Sequence, residues 1–212
     1  MKIGDYLNLI QMDKEDEGIL NEDNELYFAI NSASRRLIRT IEMIVTMSEL
    51  QQNIYHIEKK PVLIICDILE PLVDTYKKEA HKKGLLLQIE NNAFIQNICI
   101  DKDSIMQVLD NVLDNAVKYT KSGSIKIIIN NDTEDTLLIS IIDTGIGIAE
   151  KYLDTIYKPF TQEDEGYTRR FEGNGLGLAI SKRFCDLNEV IFNIETKKNI
   201  GTTVNLIFKL EI

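Results

Sequence analysis

The segment from Asp101 to Thr120, DKDSIMQVLDNVLDNAVKYT, constrains the fold more than any other part of the chain. Its apolar residues recur at i, i+3 and i+4, the pattern of a helix with one face in a protein core. Such a continuous face needs a second layer to cover it. The residues of this face are Ile105, Val108, Leu109, Val112, Leu113, Ala116 and Val117.

The opposite side of this predicted helix is polar. Asn111, Asn115 and Lys118 lie there, with Tyr119 at the edge. A neutral amide oxygen is a suitable ligand for Mg²⁺, which takes further ligands from phosphate, and a lysine one turn away can reach the same phosphate. A solvated polar face is the other reading, and this helix alone leaves both open.

The remaining elements can supply the second layer. The pattern predicts strands at 85–90, 124–130 and 136–142, a helix from about Gly175 to Leu187, and two closing strands. A short strand is expected at 53–60, followed by a helix that Asp67 caps and that ends near Gly84. These elements together predict an α+β protein, a two-layer α/β sandwich.

The first fifty residues have a different pattern. Apolar residues from about Leu26 to Leu50 have the heptad-like spacing of a bundle helix, and Met1–Met12 reads as a shorter first arm of a helical hairpin. We expect that this first arm has been cut, because hairpin arms usually match in length. The predicted domains are residues 1–52 and residues 53–212.

The composition excludes several classes of protein. The formal net charge of −10 argues against nucleic acid as a partner, because phosphate backbones require clustered Lys and Arg. No apolar run reaches the roughly 20 residues of a membrane helix. Three widely spaced cysteines and two histidines predict neither a zinc site nor a disulfide framework. Free thiols are typical of a reducing compartment, so a cytoplasmic location is expected. The parent protein can still be anchored to a membrane.

Two glycine motifs follow the polar helix. DTGIGI, Asp143 to Ile148, comes directly after a predicted strand, and Gly145 and Gly147 let a flat ring approach the backbone while Asp143 accepts a hydrogen bond. GNGLGLAI runs from Gly173 into a helix, whose free N-terminal amides favour a phosphate. Each motif is weak evidence alone, since the first is also a common tight turn.

The order and spacing of these motifs resemble the histidine-kinase branch of the ATPase superfamily that includes gyrase and the large heat-shock chaperone. NVLDNAVKYT is similar to the N box, DTGIGI to the G1 box, YKPF (Tyr157 to Phe160) to the F box, and GNGLGLAI to the G2 box. The resemblance extends over about residues 26 to 209. It implies an α/β sandwich that holds ATP and Mg²⁺ under a mobile lid.

The resemblance also implies roles for individual residues. Asn115 would coordinate Mg²⁺, Asp143 would hold the adenine, and Asn111, Asn115 and Lys118 would form the catalytic set. Arg169 or Arg170 is a candidate γ-phosphate contact, with a solvated charged loop as an equal alternative. Many members carry an Arg just after the F-box Phe, but Gln162 stands there in this chain, so the cation that meets the γ-phosphate stays unassigned. The other binding residues would be Tyr119, Gly145, Gly147, Ile148, Gly173, Gly175, Leu176, Gly177 and Leu178.

The helical start resembles the second half of a dimerisation and histidine-phosphotransfer domain. This implies a homodimer in the parent protein and a response regulator receiver domain as partner. The phosphoacceptor histidine is expected just upstream of Met1, so the present chain should not phosphorylate itself. His56 and His81 are wrongly placed for that role and are expected to be structural or exposed.

Two other functions remain open at this stage. The first is an ATP hydrolase of the gyrase or chaperone type, which places a Glu where Asn111 stands, as general base for water. An amide cannot accept that proton, so hydrolysis should be poor. The second is a scaffold that binds nucleotide or a partner only as a signal, against which the intact Asn115, Asp143 and glycine set argues.

Overall fold

The computed structural model describes residues 21–94, 97–133, 135–162 and 174–210. The chain divides into two compact units, Met1–Ser48 and Glu49–Ile212. The expected first arm, Met1–Met12, lies outside the described residues. Helix α1 spans Asn21–Gln51 and so begins earlier than its apolar pattern indicated.

A five-stranded sheet forms one layer of the second unit. Its strand order is β2-β4-β5-β7-β6. β2 runs parallel to β4, and the other neighbours pair antiparallel. The strands predicted at 85–90, 124–130 and 136–142 are confirmed. The bounds are Leu86–Asn91 for β2, Ser124–Thr133 for β4, Thr136–Asp143 for β5, Ile191–Lys197 for β6 and Gly201–Lys209 for β7.

Three helices form the other layer. They are α2, Glu70–Lys82, α3, Lys102–Tyr119, and α4, Gly177–Leu187. α3 packs against α2, α4 and β5. One face of the sheet is the core, because alternate residues of its two central strands are at most 1% exposed: Ile125, Ile127, Ile129, Leu137, Ile139 and Ile141. The predicted two-layer α/β sandwich is confirmed.

A small second sheet corrects two expectations. β1, Lys60–Leu63, pairs antiparallel with β3, Asn97–Ile100. The strand expected at 53–60 is wrong, because residues 53–59 form none and pairing with β3 begins at Lys60. Asp67 does not cap a helix, since it lies inside a π-helical turn, Ile65–Leu69, where its Oδ2 accepts a hydrogen bond from Leu63 N at 3.0 Å.

Among the described residues, no helix is both long enough and apolar enough to cross a membrane.

Candidate functional site

Helix α3 carries the predicted polar residues, and its position in the core decides where they lie. The helix begins at a capped turn, in which Asp101 Oδ1 accepts a hydrogen bond from Ser104 N at 2.9 Å. All seven residues of the predicted apolar face are at most 3% exposed. With that face in the core, Asn115, Lys118 and Tyr119 are half-buried.

Asn111 lies deeper than the helical pattern predicted. Its side chain is 5% exposed, and its Nδ2 donates a hydrogen bond to Ser181 Oγ on α4 at 3.4 Å. Because α4 packs on α3, it covers the turn that carries Asn111. Periodicity within one helix cannot show which neighbouring element will cover its polar side. The sequence pattern therefore predicted an open polar face for Asn111.

The end of α3 meets the DTGIGI loop directly. Tyr119 O accepts a hydrogen bond from Ile146 N at 3.2 Å. A Cβ at Gly145 would lie 2.7 Å from Tyr119 O and 2.7 Å from Asp143 Oδ1, so only glycine fits there. This contact brings the last turn of α3 and the predicted adenine-binding carboxylate to the same place in the fold.

Asp143 ends β5 with its carboxylate half-buried. Burial raises the pKa of Asp143, although hydrogen bonds from the backbone N–H groups of Gly145 and Thr202 act in the opposite direction. The bond from Gly145 N to Asp143 Oδ1 is 2.8 Å long. A carboxylate that has lost part of its water in this way gains from a further donor, such as the amine of a ligand.

The turn between β6 and β7 forms the other side of the DTGIGI loop, and the sequence analysis did not include it. Asn199 N donates to Ile146 O at 2.7 Å, and Ile148 N donates to Thr196 Oγ1 at 2.9 Å. Gly147 has φ +59°, and a Cβ there would lie 2.1 Å from Lys197 O. The protein's own backbone therefore already requires Gly147.

Gly201 and Thr202 are the residues that the sequence analysis missed at this turn. A Cβ at Gly201 would lie 2.0 Å from Asp143 O, and Thr202 is the strand partner of Asp143. The signal that could have found them is the stretch IGTT, a glycine turn entering a β-branched strand.

The second glycine motif joins the residues after the F box to α4. Phe160 N donates to Gly175 O at 2.9 Å, and Gly175 has φ +69° with Thr161 O in the place of a side chain. α4 begins at Gly177, two residues later than the sequence indicated. Leu176 is fully buried and anchors the start of α4, while Leu178 is half-buried. Arg169, Arg170 and Gly173 lie outside the described residues.

Two further observations describe the polar groups around the site. Thr120 directly follows Tyr119 and is 1% exposed, and within the described part of the chain its Oγ1 has no hydrogen-bond partner.

Across the same residues, no group of three or more His, Cys, Asp or Glu side chains is arranged to hold a metal ion.

The sequence is similar to that of known protein kinases of one family. The family model described as "Histidine kinase-, DNA gyrase B-, and HSP90-like ATPase" matches residues 100–212. The autoinducer 2 sensor kinase/phosphatase LuxQ of Vibrio harveyi is 30% identical over 207 residues, which are 95% of this chain and 24% of LuxQ. The sensor histidine kinase WalK of Bacillus subtilis is 29% identical over 178 residues, 81% of this chain and 28% of WalK.

A solved structure shows the same fold. Full-length ShkA, crystallised in complex with AMPPNP, superposes with a TM-score of 0.77 at 22% identity, and the match covers 93% of this chain and 41% of ShkA. The chain spans about a quarter of the length of the curated relatives it matches.

Proposed function

This chain belongs to the histidine kinase-, DNA gyrase B- and HSP90-like ATPase family as the catalytic region of a sensor histidine kinase, and we propose that it binds ATP with Mg²⁺ for transfer of the γ-phosphate to a histidine. The observation that carries the proposal is the junction of α3 with the DTGIGI loop. There the hydrogen bond from Ile146 N to Tyr119 O attaches the loop that follows Asp143 to the end of the helix that carries Asn115, Lys118 and Tyr119.

The carboxylate end of the site fits an adenine ring. Asp143 is held by the N–H groups of Gly145 and Thr202 and is partly removed from water. An aromatic amine that donates to such an acceptor gains more than it would in water. Gly145 and Gly147 keep side chains away from this end, and Ile148 lies half-buried beside it.

The helix end of the site fits phosphate and a metal. Asn115 offers a neutral oxygen, and Lys118 an ammonium that lies 4.9 Å from the Tyr119 ring centroid. At the start of α4, after Gly175 and Leu176, the N–H groups of Gly177 and Leu178 have no partner within the helix and can face a phosphate. When bound, Mg²⁺ supplies charge neutralisation on the phosphate oxygens, and Asn115 with Asn111 would hold it from the α3 side. Arg169 and Arg170 stay candidate γ-phosphate contacts.

Titration with a fluorescent ATP analogue, with and without Mg²⁺, tests the proposal. Saturable binding in the micromolar range that Mg²⁺ strengthens is the expected result. Asn115→Ala should weaken binding of Mg·ATP more than binding of metal-free nucleotide, because it removes one metal ligand. Equal losses in both conditions would restrict Asn115 to packing, and absence of any nucleotide binding would refute the proposed function.

Phosphotransfer is favoured over hydrolysis by Asn111. It occupies the place where the hydrolases of the superfamily have a general base, and its amide cannot take a proton from water. Phosphoryl transfer depends mainly on positioning and charge neutralisation, which amides and a lysine can provide. A phosphate-release assay separates the two functions: rapid, sustained release from Mg·ATP would favour the ATPase alternative.

The partners of the whole protein are part of the same proposal. Helix α1 exposes five large apolar side chains, each at least 47% accessible, and this favours a homodimer formed through α1. These residues are Ile30, Leu37, Ile41, Ile44 and Val45.

The phosphorylated histidine of the whole protein would pass its phosphoryl group to an Asp of a response regulator receiver domain. The described cysteines, Cys66, Cys99 and Cys185, are free thiols, which suits the cytoplasm.

Light scattering on the wild type and on Leu37→Ser/Ile44→Ser tests the dimer. The double variant should shift toward the monomer, whereas Glu42→Gln, a change at an exposed polar position of the same helix, should not. A wild type that is monomeric at high concentration would count against this interface.

A further inference from the structure

We propose that Ser181 is a positioning residue that holds the amide of Asn111 in the orientation needed for Mg·ATP. The inference rests on the proposed nucleotide-binding function and assigns a part in it to a residue outside the N, G1, F and G2 motifs. Ser181 lies on α4, one turn beyond Gly177, and is fully buried.

The contact itself joins two helices through buried side chains. Asn111 Nδ2 donates to Ser181 Oγ at 3.4 Å, with Asn111 5% exposed and Ser181 0% exposed. A primary amide is planar, with its oxygen and nitrogen on opposite sides of the group. A hydrogen bond that the nitrogen donates therefore also sets the direction of the oxygen.

This contact links α3 and α4, the two helices that contribute to the proposed phosphate site. Asn111 stands one helical turn before Asn115 on α3, and Ser181 stands one turn after the start of α4. Mg²⁺ interacts with an amide through its oxygen and is repelled by its N–H groups. An Asn111 side chain that has lost its bond to Ser181 is held less firmly in this orientation, so the metal-dependent part of nucleotide affinity should fall.

A second Ser–Asn pair between the same two helices provides a matched control. Asn188 Nδ2 donates to Ser104 Oγ at 2.9 Å, and both residues are buried. Ser104 lies seven residues before Asn111, and Asn188 lies seven residues after Ser181, as expected for antiparallel helices. Both contacts join a buried Ser hydroxyl to a buried Asn amide, although Asn188, which directly follows α4, also bonds to Phe184 O and Asp101 N. The Ser104 pair lies at the end of α3 away from the DTGIGI loop.

The binding test compares Ser181→Ala with Ser104→Ala. Ser181→Ala should weaken Mg·ATP binding about 3- to 10-fold, the range of one neutral hydrogen bond, and change metal-free ADP binding less than about twofold. Ser104→Ala should change neither affinity selectively. Equal effects of Mg²⁺ in both variants, or no effect of Ser181→Ala in a wild type that binds Mg·ATP, would overturn the inference and leave the proposed function intact.

A pair of isosteric variants controls for packing at the fully buried position. Ser181→Thr keeps the hydroxyl and Ser181→Val replaces it with a methyl group, while both side chains have the same β-branched shape. The threonine variant should retain the Mg²⁺ dependence and the valine variant should lose it. In an Asn111→Ala background, Ser181→Ala should add no further loss, and additive losses would show that Ser181 acts independently of Asn111.

A measurement without nucleotide reads the contact directly. The side-chain NH₂ of Asn111 should exchange slowly with solvent in nucleotide-free wild type and faster in Ser181→Ala, with the NH₂ of Asn188 as an internal standard. An Asn111 signal that is unchanged in a folded Ser181→Ala protein would overturn the positioning role, whatever the binding data show.

Discussion

At the scale of single residues, Asp143 combines a pKa raised by burial with the most direct proposed ligand contact. Its carboxylate accepts a 2.8 Å bond from Gly145 N and is half-buried. Asp143→Ala should weaken nucleotide binding by about 1–3 kcal/mol, the loss expected for a buried hydrogen bond to the adenine amine. Titration with a fluorescent ATP analogue measures the change. Unchanged affinity in a variant with a native circular-dichroism spectrum would refute the adenine role.

The same residue predicts a dependence of stability on pH. Burial raises the pKa of Asp143 above the value of 3.8 that an unperturbed Asp has. A carboxyl group with a raised pKa favours the folded state at pH below its unfolded pKa, and this contribution is lost as pH rises through the folded pKa. Nucleotide-free Asp143→Asn, which cannot ionise, should therefore be more stable than wild type at neutral pH.

The check is denaturant unfolding of both proteins between about pH 4 and 7. The stability difference between the variant and the wild type should shrink toward the acidic end, where Asp143 becomes protonated in the wild type. A difference that stays constant with pH would show that the amide acts through packing rather than through the lost charge.

The residue scale also shows what the sequence could and could not predict. The motif order predicted Asp143, Gly145 and Tyr119 as parts of one site, and the structure places them in contact because the loop after β5 returns to the end of α3. Ser181 carried no signal, since its importance comes from a cross-helix partner distant in sequence. Thr202 was signalled only by the stretch IGTT, which does not reveal that Thr202 pairs with Asp143.

At the scale of elements, the long periodic segments were predictable and the short ones were not. α3 and the central strands bury whole faces, so their periodicity is strong. β3 was not predicted, because four residues that pair only with β1 leave little pattern. The sequence predicts an ordinary helix across the π-helical turn Ile65–Leu69, because Asp is a residue type that often caps helices. In the structure, the Asp67 side chain instead accepts a hydrogen bond from the preceding strand.

The segment 49–55, which comprises the end of α1 and the residues after it, is held on α4 by contacts that the sequence did not indicate. Arg183 Nη2 donates to Leu50 O at 3.3 Å and to Asn53 Oδ1 at 3.4 Å. The Tyr55 ring lies 5.0 Å from that of Phe184, measured between centroids. Leu50 O belongs to the last turn of a helix, where carbonyl groups lack helical partners, so the guanidinium caps this end.

Arg183→Ala should loosen this segment. Amide hydrogen exchange of residues 49–55 should accelerate about 3- to 10-fold, the effect of losing roughly 1 kcal/mol of local stability. Lys182→Ala is the control, because Lys182 forms a surface ion pair with Asp186 on the same helix. Such pairs contribute little, so that variant should leave exchange of residues 49–55 unchanged. Equal acceleration in both variants would indicate general loosening of α4.

At the scale of the whole molecule, a net charge of −10 coexists with a proposed site for an anionic nucleotide. The two are compatible because salt screens exposed charges beyond about 8 Å, so the local groups dominate. Those local groups are Lys118, the neutral amides of Asn111 and Asn115, and the N-terminal amides of α4. The net charge argues against nucleic acid as a partner, but it does not argue against a nucleotide site of this size.

The last prediction concerns the two histidines of the chain. His56 lies between α1 and β1, and His81 lies in the last turn of α2, both exposed. Neither is on the bundle helix where the resemblance places a phosphoacceptor. Incubated with γ-labelled ATP and Mg²⁺, a preparation shown to bind Mg·ATP should therefore incorporate no acid-labile, base-stable phosphate. His56→Ala and His81→Ala should behave as the wild type does. If the wild type becomes labelled and one of these variants does not, that histidine is the acceptor, and the proposed transfer to a histidine on the helical bundle is wrong.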